Sequence, residues 1–198
     1  MENSFFAIVS RMKYIERWAL MHSSRRENLS EHCMDVAVIA HALCLIGNVR
    51  FGKNLNAESA ALKALYHDAS EIITGDMPTP VKYGSEGIRK SYNAVEAQAA
   101  EQLLSRLPED LRPYYAEIFR EDDISPSYEQ KLVKAADKLS ALIKCIEEKN
   151  AGNHEFDTAE ITTRQKIDEL CEELPEVRVF CDEFLPGYGH TLDTLLAG

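Results

Sequence analysis

Apolar residues recur every third or fourth position along most of this chain, strict apolar/polar alternation is scarce, and Val and Ile fall mostly inside the helical stripes. This periodicity leaves no room for a parallel sheet and predicts an all-α fold, a helical bundle. A first amphipathic helix is expected over residues 4–15. Asn28, with Glu31 three positions later, has the form of a capping box and opens a helix expected to close near Gly47-Asn48. Asn56 caps the next helix, which runs from about 57 to 74 and stops at Gly75. Two prolines in Asp76-Met77-Pro78-Thr79-Pro80 then hold the chain extended as a rigid loop. Further helices are expected at 86–106, 108–119, 127–150, 154–172, 175–184 and 190–196. The acidic run Glu121-Asp122-Asp123 before Pro126 marks the longest connection, but the helical pattern resumes at once. Residues 1–198 are therefore read as a single domain, with its central part over about 28–150 and C-terminal helices over about 154–196.

Charge narrows the partners. The 33 acidic and 22 basic side chains give a net charge of −11, which repels polyanions and argues against a partner that is a nucleic acid polymer. A phosphate-bearing ligand must then meet a local basic patch. Cysteines 33, 44, 145, 171 and 181 are odd in number and lack CxxC spacing, so they are expected to be reduced and buried. The amino terminus has no basic n-region or small-residue cleavage site, and no window holds eighteen consecutive apolar residues. The expectation is a cytoplasmic protein with no membrane partner.

One stretch breaks the amphipathic pattern. In ALYHDASEIITGDMPTPVK, His67, Asp68 and Glu71 sit among alanines, leucines and isoleucines, with Asp76 just past a glycine. On a continuous helix His67 and Glu71 share a face, and Asp68 lies three residues from Glu71, so the three heads converge. Ionised carboxylates in apolar surroundings are costly unless paired or bound to a cation, and a cation is the simplest account. Two other segments carry the same anomaly: His32 begins an otherwise apolar stripe, and Asp137 sits between Ala135-Ala136 and Leu139. His41, nine residues past His32, falls half a turn away and is excluded. Taken singly, each has an ordinary explanation, a hydrogen-bonded core histidine or a surface pair of Asp137 with Lys134 or Lys138. The order His, His-Asp, Asp makes four independent coincidences less economical than one metal site built from His32, His67, Asp68 and Asp137.

That order resembles the HD-domain superfamily of metal-dependent phosphohydrolases. The segments RWALMHSSRRENLSEH, YHDASEIITGDMPTPVK and KAADKLSALIKCIEE are similar, more narrowly, to the bacterial HD-domain 5′-nucleotidases that act on deoxyribonucleoside monophosphates. The resemblance covers at least residues 5–155 and implies an HD-domain helical bundle whose ligands come from separate helices. It also implies a homodimer, although an intramolecular core would explain the apolar stripes equally well. Other HD phosphohydrolases, hydrolysing nucleoside triphosphates or phosphodiesters, and a non-catalytic nucleotide-binding module are the alternatives.

The ligand set fixes the chemistry to be expected. Two imidazoles and two carboxylates suit a divalent cation, with Mn²⁺ or Co²⁺ favoured and Zn²⁺, Cu²⁺ or Mg²⁺ compatible. Such a cation neutralises phosphoryl charge and lowers the pKa of water for in-line attack on phosphorus. Glu71 and Asp76 are left to manage protons: Glu71 orients water or passes a proton, and Asp76 protonates the leaving 5′-oxygen or holds substrate. The resemblance implicates both as catalytic. Arg17 offers a planar fork for phosphate oxygens and Trp18 a rigid wall, with Arg25 and Arg26 nearby. A lone tryptophan is more often a core anchor, but in the resembled nucleotidases the Arg-Trp pair meets the substrate. Deoxyribose would be selected by a wall too close to admit a 2′-hydroxyl. Met77, Pro78 and Thr79 would line the opposite side, and the substrate would also touch His32, Asp68, Asp76 and Asp137. Lys53 and Lys82 are expected to be solvated surface lysines.

Overall fold

A computed structural model describes residues 3–82, 84–120 and 125–197. The chain is built from helices and short 3₁₀ turns: α1 (Phe5–Val9), α2 (Leu29–Phe51), α3 (Ala57–Tyr66), α4 (Glu71–Thr74), α5 (Thr79–Lys82), α6 (Glu86–Leu104), α7 (Arg112–Phe119), α8 (Tyr128–Asn150), α9 (Asp157–Glu173), α10 (Pro175–Glu183) and α11 (Leu192–Leu196). Among the described residues there is no strand, and the isolated antiparallel bridge Glu16–Asn28 is the base of a loop. The fold is the all-α one that the periodicity predicts. The acidic run 121–123 lies outside the described residues.

Local chemistry sets the boundaries. The capping box is made: Asn28 Oδ1 accepts from the Glu31 amide at 3.1 Å, and the Asn28 amide donates back to Glu31 Oε2 at 3.3 Å. Asn56 Oδ1 likewise accepts from the Ser59 amide at 2.9 Å. Helix α2 runs past Gly47 to Phe51, four residues beyond its expected end, and stops where Gly52 takes φ +65. Gly47 is small for a packing reason instead: a Cβ there would lie 2.8 Å from both Glu176 Oε1 and Leu55 Cδ1. The first helix of residues 4–15 is split, with α1 giving way to a 3₁₀ turn over Ser10–Tyr14. The proline loop is not wholly extended either, because Thr79–Lys82 winds one helical turn, led by Val81 and Lys82 amides donating to Pro78 O.

The described chain divides into two compact units. The first holds Met1–His22, Arg26–Met34 and Leu65–Glu121; the second holds Ser23–Arg25, Asp35–Ala64 and Asp122–Gly198. In the first unit Phe5 is fully buried among Met12, Leu29, Cys33, Ala69, Leu103, Leu104 and Leu107. Its ring meets Tyr115 edge-on at 5.0 Å between centroids, with Tyr66 and Phe119 completing an aromatic cluster. This packing anchors the chain leaving α3, where the His-Asp pair lies.

The core of the second unit is the apolar body of α2 against α8, α9 and α10, including Val36, Ile39 and Leu43 with Leu132, Leu139, Val177 and Phe180. Ala40, Ala135 and Ala136 are fully buried, small side chains at positions where backbones can approach closely. By length and composition α2 could cross a membrane, but 56% of its most apolar stretch is buried inside the protein, as befits a core helix. Lys53 is half-buried and pairs with Glu176 at 2.6 Å, and Lys82 is half-buried and pairs with Glu96 at 2.9 Å. Neither is the solvated lysine expected from sequence. The cysteines are free thiols, four buried and Cys181 half-buried.

Candidate metal centre

Helix α3 ends one residue before His67, and the ladder through residues 67–73 tightens from i+4 to i+3. The Ala69 amide donates to Tyr66 O, Glu71 to Asp68 O, Ile72 to Ala69 O and Ile73 to Ser70 O. The single helix expected over 57–74 is therefore interrupted. In a 3₁₀ turn, side chains three apart eclipse, so the turn brings Asp68 and Glu71 closer in azimuth than an α-helix would. A capped start to α2 delivers His32 to the same place: it is the fourth residue of that helix and fully buried.

His32, His67 and Asp68 each offer one ligand atom, and these atoms all lie within 4.8 Å of one another. Asp68 Oδ2 is 3.6 Å from His32 Nε2 and 3.1 Å from His67 Nε2. The far side of each ring meets a different partner: His32 Nδ1 faces Glu27 Oε1 at 3.6 Å, and His67 Nδ1 faces Cys33 Sγ at 3.7 Å. Burial works against a charged His67, but Asp68 more than offsets it and raises the imidazole well above its ordinary range. A convergent nitrogen, nitrogen, oxygen set of this size fits a divalent cation.

Acidic and basic groups ring this cluster. Arg17 Nη1 is 3.5 Å from Asp68 Oδ2 and 4.0 Å from Asp76 Oδ1. Glu71 is buried, and its Oε2 has no hydrogen-bond partner among the described residues. Burial first, then the charges of Asp68 and Asp76, push its carboxyl up to about 9 against the opposing pull of Arg17 and Lys82. Asp76 is raised as well, chiefly by burial, while Arg17 and the Trp18 amide pull the other way. Trp18 takes φ +58, a conformation that a bulky residue adopts only when its surroundings enforce it. Its indole Nε1 donates to Glu27 Oε2 at 2.9 Å.

Other expected residues divide as follows. Met77 and Pro78 are half-buried in the irregular stretch after Asp76, and the Thr79 side chain lies outside the described residues. Asp137 belongs to the second unit, on α8, where its Oδ2 pairs with Lys138 Nζ at 2.9 Å. Arg26 is exposed and pairs with Glu16 at 2.6 Å, and Arg25 is exposed. Sequence reasoning missed Glu27 and Cys33. Neither carries a periodic or motif signal, and Glu27 follows two arginines in a stretch with no regular structure.

The chain matches a family model described as 5′-deoxynucleotidase YfbR-like over residues 4–188. It is 45% identical over 196 residues to a 5′-deoxynucleotidase of Vibrio parahaemolyticus, covering 98% of each chain. It is also 45% identical over 194 residues to 5′-deoxynucleotidase YfbR of Shigella dysenteriae, covering 98% of this chain and 96% of that one. Among solved structures, an HD-domain phosphohydrolase of Listeria innocua superposes with a TM-score of 0.80 at 28% identity, over 93% of this chain and 88% of the other.

Proposed function

Because the chain belongs to the YfbR-like family of 5′-deoxynucleotidases, we propose a site in which His32, His67, Asp68 and Asp137 hold one divalent cation beside a deoxyribonucleoside 5′-monophosphate. The reaction is that of a metal-dependent phosphoric monoester hydrolase: a deoxyribonucleoside 5′-monophosphate and water give the deoxyribonucleoside and phosphate. The observation that carries the assignment of residues is the convergence of three ligand atoms within 4.8 Å, with Arg17 3.5 Å from the shared carboxylate. Asp137 enters by its place in the His, His-Asp, Asp order.

When bound, the cation supplies charge for the phosphoryl oxygens and acidity for water. The chain's own groups do the rest. Arg17, held between Asp68 and Asp76, presents its fork to the phosphate. Glu71 is a buried carboxyl raised above its ordinary range, chiefly by burial, so it can orient water or exchange a proton as the P–O bond breaks. Asp76 shares this work, by donating to the leaving 5′-oxygen or by holding the sugar. Trp18 walls the 2′ position, while Met77, Pro78 and Thr79 line the opposite side. A steric wall alone rejects one hydroxyl by only a few kcal/mol, so weak turnover of ribonucleotides is expected.

The donor set favours Mn²⁺ or Co²⁺ and accommodates Zn²⁺, Cu²⁺ or Mg²⁺. In this reading the protein is cytoplasmic and works as a homodimer; exposed Val38, Leu45 and Val49 on one stripe of α2 support an association face. Light scattering of the purified protein tests the dimer, with a monomer mass overturning it. The deciding experiment measures phosphate release from 5′- and 3′-nucleotides and from deoxynucleoside triphosphates with each cation and with EDTA. Release chiefly from 5′-dNMP, weakly from 5′-ribonucleotides and not from 3′-nucleotides, abolished by EDTA, is expected. Triphosphate or pyrophosphate release from dNTP would overturn the assignment, and binding of dNMP without turnover would leave only a nucleotide-binding module.

A further inference from the structure

Glu27 lies outside every helix, yet its carboxylate is mostly buried and is engaged on both oxygens. Oε2 accepts the Trp18 indole N–H at 2.9 Å and lies 3.9 Å from Arg17 Nε; Oε1 faces His32 Nδ1 at 3.6 Å. The backbone of the same residue accepts from the Arg17 amide at 3.0 Å, beside the Glu16–Asn28 bridge, so the two sides of the loop are pinned at their base. Trp18 is held from two directions, its indole by Glu27 and its backbone amide by Asp76, which accounts for a φ of +58 in a residue with a large side chain. We propose that Glu27 is a positioning residue that fixes the Trp18 wall and the His32 ligand through one carboxylate, so that sugar selectivity and metal affinity depend on the same side chain. The inference rests on the reading that His32 ligates the cation and Trp18 meets the sugar.

The chemistry of the two ends differs. On His32, an acceptor at Nδ1 favours the proton on that nitrogen, which would leave the Nε2 lone pair to the cation that His32 and Asp68 would hold together. On Trp18, the acceptor selects one orientation of the indole. On its Nδ1 side His67 faces the Cys33 thiol at 3.7 Å, a different partner from the carboxylate beside His32.

Trp18 is the only tryptophan, so intrinsic fluorescence reports on it alone. In Glu27→Ala the emission of the metal-free protein should shift to the red, Mn²⁺ affinity by calorimetry should fall about 10- to 100-fold, and the dAMP/AMP ratio of kcat/KM should fall toward that of Trp18→Ala. Glu27→Gln offers a single oxygen for two donors, so it should keep either the emission or the metal affinity near wild type and lose the other. Circular dichroism reports whether Glu27→Ala folds; where it does not, the isosteric Glu27→Gln decides. Wild-type emission together with wild-type metal affinity in Glu27→Gln would overturn the proposal. An unchanged dAMP/AMP ratio in Trp18→Ala would instead overturn the reading of the wall, and with it the selectivity half of the inference. The emission and calorimetric arms still judge the link between Trp18, Glu27 and His32.

Discussion

Glu71 in the first unit and Glu148 in the second are both buried carboxylates on helices, 4% and 1% exposed, and their surroundings push them in opposite directions. Glu148 is saturated with donors: the Ser24 amide at 2.8 Å, Asn153 Nδ2 at 2.7 Å, the Arg25 amide at 3.4 Å, and Lys144 Nζ one turn away on α8. Burial alone would raise its carboxyl, but the hydrogen bonds from Lys144, Asn153 and Ser24 dominate and lower it strongly. Glu71 has the same burial, two like charges nearby and an oxygen with no hydrogen-bond partner among the described residues, so its carboxyl rises to about 9. A fully satisfied buried acid fixes the chain, here tying residues 23–25 to α8. An unsatisfied one costs stability, and a fold keeps such a group where its proton has work to do.

The largest expected effect breaks the functional half of this contrast. Glu71→Ala should lower kcat by about 10²- to 10⁴-fold, equivalent to roughly 3–5 kcal/mol of barrier. Metal affinity should survive, and thermal stability should hold or rise, because a buried acid without a full set of partners has been removed. Phosphate-release kinetics, calorimetry with Mn²⁺ and a melting curve check the three parts. Turnover within about threefold of wild type would take Glu71 out of the mechanism.

Sequence shows these two acids unequally. Glu71 stood out because a charged residue among Ala69, Ile72 and Ile73 contradicts its neighbours, and the His67-Asp68 pair gave it company. Glu148 gave no such signal: in the run Ile146-Glu147-Glu148-Lys149 it looks like one face of a solvated helix end, and its donors at 24, 25 and 153 lie in loops without a pattern. Helix starts at Asn28 and Asn56 were legible because a cap is a local bond between residues three apart. The break at residues 67–70 was not, since propensity and periodicity run straight through it and only the i+3 ladder reveals it. Glu27 was hidden for the same reason as Glu148: its role depends on Trp18 and His32, which no short sequence window joins.

The next effect tests the structural half. Glu148→Ala leaves the Lys144 ammonium buried beside the Arg25 carbonyl without its counter-charge. Removing one partner of a buried pair costs about 3–5 kcal/mol, which for a chain of this size lowers Tm by roughly 2–4 °C for each kcal/mol. A smaller change is expected when both partners go. Lys144→Met with Glu148→Leu replaces the pair by apolar groups of similar volume and should recover most of the loss, to within about 2 kcal/mol of wild type. A double variant as unstable as Glu148→Ala would mean that the bonds to Ser24 and Asn153, rather than the orphaned ammonium, carry the cost.

The smallest effect is one of pH, and it separates the pair from the rest of the acidic surface. Glu148 has an ordinary value of 4.5, to which unfolding returns it, and a lower value when folded. Between those two values the unfolded chain binds more protons than the folded one, so stability there rises with pH. Its contribution is therefore fully present above about pH 4.5 and is lost as pH falls toward the folded value. One such group contributes a slope of at most about 1.4 kcal/mol per pH unit. Wild type and the Lys144→Met/Glu148→Leu variant share every other carboxylate, so the difference between their melting temperatures isolates this term. That difference should be constant from pH 7 to about 5 and should shift in the variant's favour below it. Parallel curves down to pH 3 would show that Glu148 titrates alike in both states, and the contrast with Glu71 would then rest on geometry alone.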